Sequence, residues 1–252
     1  MSEVDELRER VAQACRVLGK LDLAEAATGH ISARIPGTDR VLIRARGPGE
    51  LGVRYTTADQ VVEVDLDGKL TQGVEEGLEA PIEVFIHTAV YRKRPDIQSV
   101  VHVHPPTVVL FTICDKPLLP LYGAFDPSGA QMALSGVPTY PRSILISNPK
   151  LGDDLARAMG GSKVCLMRGH GITAAGRSIE EAALEAITLN NLATMNYRAQ
   201  LLGNPQPILE EDQEIFREMA KAGRGRAEGL AGNKPSGRTA ALWRYYVALT
   251  QS

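Results

Sequence analysis

The chain is poor in the residues on which several classes of function depend. Aromatic residues make up only 5% of its 252 positions, with a single tryptophan, too few for a base-stacking platform. Neither sign of charge dominates: 28 basic residues against 30 acidic ones leave a net charge of −2. With no Lys/Arg block either, a broad electrostatic footprint for nucleic acid is excluded. No run approaches the ~18 consecutive apolar residues of a membrane span, so no membrane partner is expected. Cysteine is scarce. Cys15, Cys114 and Cys165 are far apart, form no C-x-x-C pair and sit in apolar contexts. They read as reduced core thiols in a reducing compartment. The acidic opening Met1 to Glu6 does not suit a signal peptide, and a cytoplasmic location is expected.

What is present reads as one α/β domain with a mixed sheet, without internal repeat or low-complexity linker. Leu7, Val11, Ala14 and Leu18 recur at helical spacing and make the first twenty residues a helix. From Ile31 to Leu70 the pattern turns β-like, with strands at 40–46 and 61–66. Ala80-Pro81 predicts a helix start, and Pro95 stops that helix at about Arg94. A short strand at 99–104 ends at Pro105-Pro106, and a helix to about Ile113 follows. Six prolines in 115–149 predict loops with short strands. Strands are expected at 163–167 and 172–175, around an Arg168-Gly169-His170-Gly171 turn. Ser178-Ile179-Glu180-Glu181 reads as a capping box opening a long helix to about Leu202. Residues 221–238 read as a mobile surface segment before a final helix containing Trp243-Arg244-Tyr245-Tyr246.

Gly47-Pro48-Gly49-Glu50-Leu51-Gly52 matches G-x-G-x-x-G. A dinucleotide site needs a full helix after the glycines, to meet the pyrophosphate at its N-terminus. Only eight residues precede the next strand here, so the motif reads as a tight turn. Beside it, Arg44 and Arg46 are alternate residues of one strand and share a face. They suit a carboxylate partner, although solvated surface charge explains them equally well.

Five histidines occur: His30, His87, His102, His104 and His170. In His102-Val103-His104 the period of two puts both imidazoles on one face, with the valines toward the core. The pair alone fits either a metal site or a surface. His170, between two glycines, adds a third imidazole where small neighbours permit close approach. Glu83 lies among Ile82, Val84 and Phe85, surroundings that raise a carboxyl pKa and suit a proton carrier or fourth ligand. A first-turn glutamate favoured by the helix dipole is the plainer account. Three imidazoles with an exchangeable fourth position would make a Lewis-acid site, not a closed structural one. One divalent ion per subunit is expected, Zn²⁺ ahead of Mn²⁺, Co²⁺ or Fe²⁺.

In this order the motifs resemble those of the class II aldolase/adducin family. The resemblance spans roughly 7–202. It rests on Thr28-Gly29-His30-Ile31-Ser32-Ala33-Arg34, Glu83 with His87, Arg94-Pro95-Asp96, Val100 to His104, and Gly169-His170-Gly171. It implies a three-layer α/β/α fold with a central mixed, largely antiparallel sheet, and a homotetramer with interfacial active sites. It further implies that His102, His104 and His170 hold the metal, and that Glu83 is the acid/base and a metal ligand when substrate is absent. Residues 1–220 would form the family domain and 221–252 an extension packing on or near the active site.

The departures matter as much. Where the family's sugar-phosphate aldolases bind phosphate, this chain carries His30, Arg46-Gly47 and Pro81-Ile82, which removes most neutral donors. A small acidic substrate fits better, with His30, Arg44 and Arg46 to position carboxylates. The ending Leu242 to Tyr246 is similar to that of the family's decarboxylase branch. The leading expectation is therefore a metal-dependent lyase decarboxylating a dihydroxylated aromatic acid, such as a dihydroxyphthalate. A retro-aldol lyase on an unphosphorylated hydroxy-keto acid or sugar is the alternative, and a non-catalytic adducin-like module the third. Tyr122 is a candidate proton donor reaching a neighbouring subunit's site, against the plainer reading of a half-buried tyrosine. For His87 the expected role is to orient Glu83, one turn away.

Overall fold

The computed structural model describes residues 2–72, 77–222 and 237–251. In chain order these form α1 (Glu3–Lys20), β1 (His30–Arg34), β2 (Arg40–Arg44), β3 (Val61–Asp65), β4 (Leu70–Gln72) and α2 (Val84–Lys93). There follow β5 (Ser99–Val103), α3 (Pro106–Ile113), α4 (Pro127–Ser135), β6 (Thr139–Tyr140) and α5 (Pro149–Met159). The chain continues through β7 (Val164–Met167), β8 (Gly171–Gly176), α6 (Ile179–Leu202), α7 (Glu210–Lys221) and α8 (Gly237–Ala248).

Eight strands make one sheet in the order β4-β3-β2-β1-β5-β8-β7-β6. Only β6 and β7 run parallel; every other pairing is antiparallel. Side chains alternate across it, as the strand period requires. Ile31, Ala33, Leu42, Val101 and Val103 join one core with α1, α3 and α6. Val41, Ile43, Val62, Val64 and Val100 join another with α2 and α5 on the opposite face. The expected three-layer α/β/α architecture with a mixed, largely antiparallel sheet is the one observed.

Several local expectations need correction. The stretch 115–149 contains α4, whose start is marked by the Asp126 cap and Pro127. Residues 149–159 form α5, begun by the Asn148 cap and Pro149. Proline at the first helical position costs no hydrogen bond, so these prolines begin helices instead of breaking them. The capping box at α6 is only half formed. Ser178 accepts the Glu181 N–H, but the Glu181 carboxylate reaches Arg177 N–H and Lys163 instead. Cys114 is exposed at the end of α3, whereas Cys15 and Cys165 are buried free thiols. The glycine-rich motif is a turn leading into a single 3₁₀ turn, Val53–Tyr55. Gly52 there has φ +92° and its α-carbon faces the Ala26 carbonyl with no room for a Cβ.

The expected mobile segment at 221–238 falls mostly on 223–236, outside the described residues. Beyond it α8 packs on α6 and α1, with Trp243 in the core. No described helix is long and apolar enough to cross a membrane.

Candidate metal centre

Alternation along β5 sends Val101 and Val103 into one core and turns His102 to the face that carries α2. The antiparallel register then sets His30 of β1 directly opposite His102. His104 follows one residue beyond the strand. His170 occupies the β7–β8 turn, where Gly169 adopts φ +56° and its N–H is held by Thr112 Oγ1 at 2.9 Å. Gly171 has no space for a side chain: a Cβ would lie 2.5 Å from the Val103 carbonyl and 2.6 Å from His104 Cδ2. Glu83 is the N-cap residue of α2, one position before the predicted helix interior. Its Oε1 accepts the Ile146 N–H at 2.8 Å.

These elements bring one ligand atom from each of Glu83, His102, His104 and His170 within 4.8 Å of all the others. His102 Nδ1–H donates to the Ile172 carbonyl at 2.9 Å, which leaves its Nε2 lone pair for the cluster. That Nε2 lies 2.8 Å from His104 Nε2 and 3.4 Å from Glu83 Oε2. His170 Nε2 is 3.3 Å from the same carboxylate oxygen, yet both His170 ring nitrogens are buried without an aligned hydrogen bond. Burial pushes the His102 imidazolium pKa down, and burial with two neighbouring imidazoles takes His104 to about 3. Buried His170 nitrogens without a hydrogen bond are costly, and a divalent cation shared with His102, His104 and Glu83 would satisfy them. The donor set therefore fits a metal ion.

Glu83 corrects one expectation. Burial does push its carboxyl pKa up, but the adjacent imidazoles and the Ile146 N–H outweigh burial and hold it well below the usual carboxylate range. Its apolar sequence neighbours are not its surroundings in space.

The other candidates are differently placed. His30 is buried beside the cluster, its ring 5.1 Å from that of His102. His87 does not hydrogen-bond Glu83: its two nitrogens meet His30 Nδ1 and Ser32 Oγ, each at 2.6 Å. Arg44 is turned inward, donating to the Ala27 and Gly29 carbonyls and to Thr56. The carboxylate it was expected to meet is the protein's own Glu50. Arg46 leaves the strand, bridges to Glu79 through backbone and pairs with the Glu79 carboxylate at 2.8 Å. Tyr122 lines a separate cleft of about 470 Å³ with Phe125, Asp126, Leu242 and Tyr246, and no histidine lines it. Within one chain Tyr122 is thus apart from the cluster. Sequence reasoning passed over Ser32, Tyr91 and the Ile146 N–H; only for Ser32 was there a signal, its spacing of two from His30.

Residues 9–197 match the family model described as Class II Aldolase and Adducin N-terminal domain. A 3,4-dihydroxyphthalate decarboxylase of Terrabacter sp. (strain DBF63) is 39% identical over 242 residues, covering 96% of this chain and 95% of the relative. Another, of Arthrobacter keyseri, is 44% identical over 198 residues, 78% of this chain and 79% of the relative. Among solved structures, an aldolase II superfamily protein from Pseudomonas syringae superposes with a TM-score of 0.82 at 23% identity, covering 100% and 94% of the two chains. The L-fuculose 1-phosphate aldolase from Glaciozyma antarctica PI12 gives 0.78 at 20% identity, covering 98% and 90%. At such identities the structural likeness bears on fold alone. With three-quarters of its length inside the family model and the four converging side chains in place, the chain belongs to the class II aldolase/adducin family.

Proposed function

We propose that this protein is a metal-dependent carboxy-lyase that decarboxylates a dihydroxylated aromatic dicarboxylic acid of the 3,4-dihydroxyphthalate type, in aromatic-compound degradation. The observation that carries the reading is likeness along almost the whole chain to decarboxylases of that substrate. The lack of neutral phosphate donors at His30, Arg46-Gly47 and Pro81-Ile82 supports it against a sugar phosphate.

In this reading His102, His104 and His170 hold the divalent ion, Zn²⁺ ahead of Mn²⁺, Co²⁺ or Fe²⁺, with Glu83 completing the set before substrate binds. When bound, the ion supplies Lewis-acid stabilisation for negative charge on the substrate's vicinal oxygens. Glu83 starts ionised, so its first task is to accept a proton from a substrate hydroxyl. The carbon–carboxylate bond then breaks, its electron pair stays on the ring carbon, and carbon dioxide leaves. Glu83 returns its proton to that carbon and is ionised again; the phenolate left behind is protonated by solvent. His30 hydrogen-bonds a substrate carboxylate, with Arg46 a cation for it once released from Glu79. Arg44 acts one step back, fixing the Ala27–Gly29 backbone that leads into His30.

The same proposal includes a homotetramer in which Tyr122 serves a neighbouring protomer's site as proton donor. Residues 1–220 form the family domain, and the 221–252 extension borders the Tyr122 cleft through α8. Buried free thiols at Cys15 and Cys165 support a cytoplasmic location.

The test is carbon dioxide release from 3,4-dihydroxyphthalate by the metal-loaded protein, with chelator-treated protein and His102→Ala as controls. Stoichiometric release that both controls abolish is expected. An aldehyde product from a hydroxy-keto acid, with no release from any dihydroxyphthalate, would replace this reading with the retro-aldol one.

A further inference from the structure

Behind the metal cluster runs a line of four buried polar side chains. His30 Nδ1 is 2.6 Å from His87 Nε2, His87 Nδ1 is 2.6 Å from Ser32 Oγ, and Ser32 Oγ is 2.7 Å from the Tyr91 hydroxyl. Two periodicities build it. Positions 30 and 32 share one face of β1, positions 87 and 91 share one face of α2, and the two faces oppose each other. Leucines would fill this space without the cost of burying four polar groups.

The shortest contacts give the protons in this line one order. The acceptor within reach of the Tyr91 hydroxyl is Ser32 Oγ, so that proton goes to Ser32. The Ser32 proton then has His87 Nδ1 at 2.6 Å or the Val100 carbonyl at 3.5 Å, and the shorter contact takes it. His87 Nδ1 is thereby an acceptor. A ring that accepts at Nδ1 keeps its one proton on Nε2, so His87 Nε2–H donates to His30 Nδ1. His30 in turn accepts at Nδ1, which makes it a neutral ring. Its proton is therefore on Nε2, which no group among the described residues bonds.

We propose that Ser32, His87 and Tyr91 are positioning residues that lock His30 in its Nε2–H tautomer, making it a neutral hydrogen-bond donor to a carboxylate of the substrate. The opposite tautomer would present a lone pair to that carboxylate and repel it. The tautomer rests on geometry alone; the carboxylate it serves rests on the decarboxylase reading.

Long-range ¹H–¹⁵N spectra of [¹⁵N]histidine-labelled, Zn²⁺-loaded protein at neutral pH read the tautomers directly. His30 and His87 are expected as Nε2–H, with His102 the opposite, because its Nδ1 faces the Ile172 carbonyl. An Nδ1–H or doubly protonated His30 in the wild-type spectrum overturns the proposal, whether or not any variant folds. In Ser32→Ala the His87 proton can move to Nδ1, toward the Val100 carbonyl, and His30 inverts. KM for the dihydroxyphthalate then rises about ten- to a hundredfold, as for a lost hydrogen bond to a charged group, with a smaller change in kcat; Ser32→Thr restores it. An unaltered His30 spectrum in Ser32→Ala, or a fall in kcat at constant KM, overturns the proposal. Because the spectra need no turnover, absence of carbon dioxide release would defeat the decarboxylase reading without touching the tautomer.

Discussion

Arg44, only 3% exposed, spans two carbonyls, the Thr56 hydroxyl and the Glu50 carboxylate. Its sequence context, a basic residue two before another on a strand, suggested a substrate contact. Space gave it a structural partner first. Removing one member of a buried pair leaves an uncompensated charge, so Arg44→Met should lower stability by about 3–5 kcal/mol, read as a lower urea midpoint. Arg44→Met/Glu50→Leu should recover much of that loss. His87 sets a pH dependence. An unfolded histidine titrates at 6.5, but the buried ring has its pKa taken down to about 3. Between those values the unfolded chain binds a proton that the native one does not, so stability falls as pH drops from 6.5 toward 3. Urea unfolding across that range should show the slope, and His87→Gln should reduce it by one proton's share, the lowered pKa values of His30, His102 and His104 keeping the rest. At Glu83 too the partner in space outweighs the neighbour in sequence. Residues adjacent in sequence implied a raised pKa, and the imidazoles and backbone N–H adjacent in space lower it.

The β5–β8 pair is the element that assembles the site. Register places His102 against Thr173 and Val103 against Ile172, which carries the turn holding His170 to the end of the strand holding His102. Gly171 makes that approach possible. Gly171→Ala should drive a methyl against the Val103 carbonyl and the His104 ring, displacing a ligand. We expect metal affinity to fall by about 10–100-fold, the range seen when groups that orient ligands are lost, measured by competition with a chromophoric chelator. A wild-type affinity would show that the hairpin tolerates the shift. Helices with long apolar stripes, such as α1, are legible from spacing. α4 and α5 were hidden because they begin at prolines of the proline-rich stretch 115–149, which reads as loop. Their signals were the caps Asp126 and Asn148 ahead of those prolines, which turn a breaker into a first helical residue.

At the scale of the whole molecule, large apolar side chains lie open on the surface of a single chain. Phe125 is 76% exposed, and Leu110, Ile113 and Leu145 are exposed as well. Such surface calls for cover, which the proposed homotetramer supplies. Light scattering should give four times the 27.2 kDa chain mass, and Phe125→Ser should shift the population to smaller species; a monomeric wild type would remove Tyr122 from any active site. By itself the sequence determined the sheet-and-helix alternation and singled out three imidazoles that could share a metal. These depend on local periodicity and on glycine-flanked turns, which neighbouring residues specify. Only the tertiary structure decided that His30 faces His102, that Glu83 is held ionised, that Arg44 is a brace and that Ser32, His87 and Tyr91 form one line. Each depends on register or packing between separate segments, 6 to 17 residues apart at Arg44 and far more elsewhere, and there burial and the nearest partner, not the sequence neighbour, set the energy.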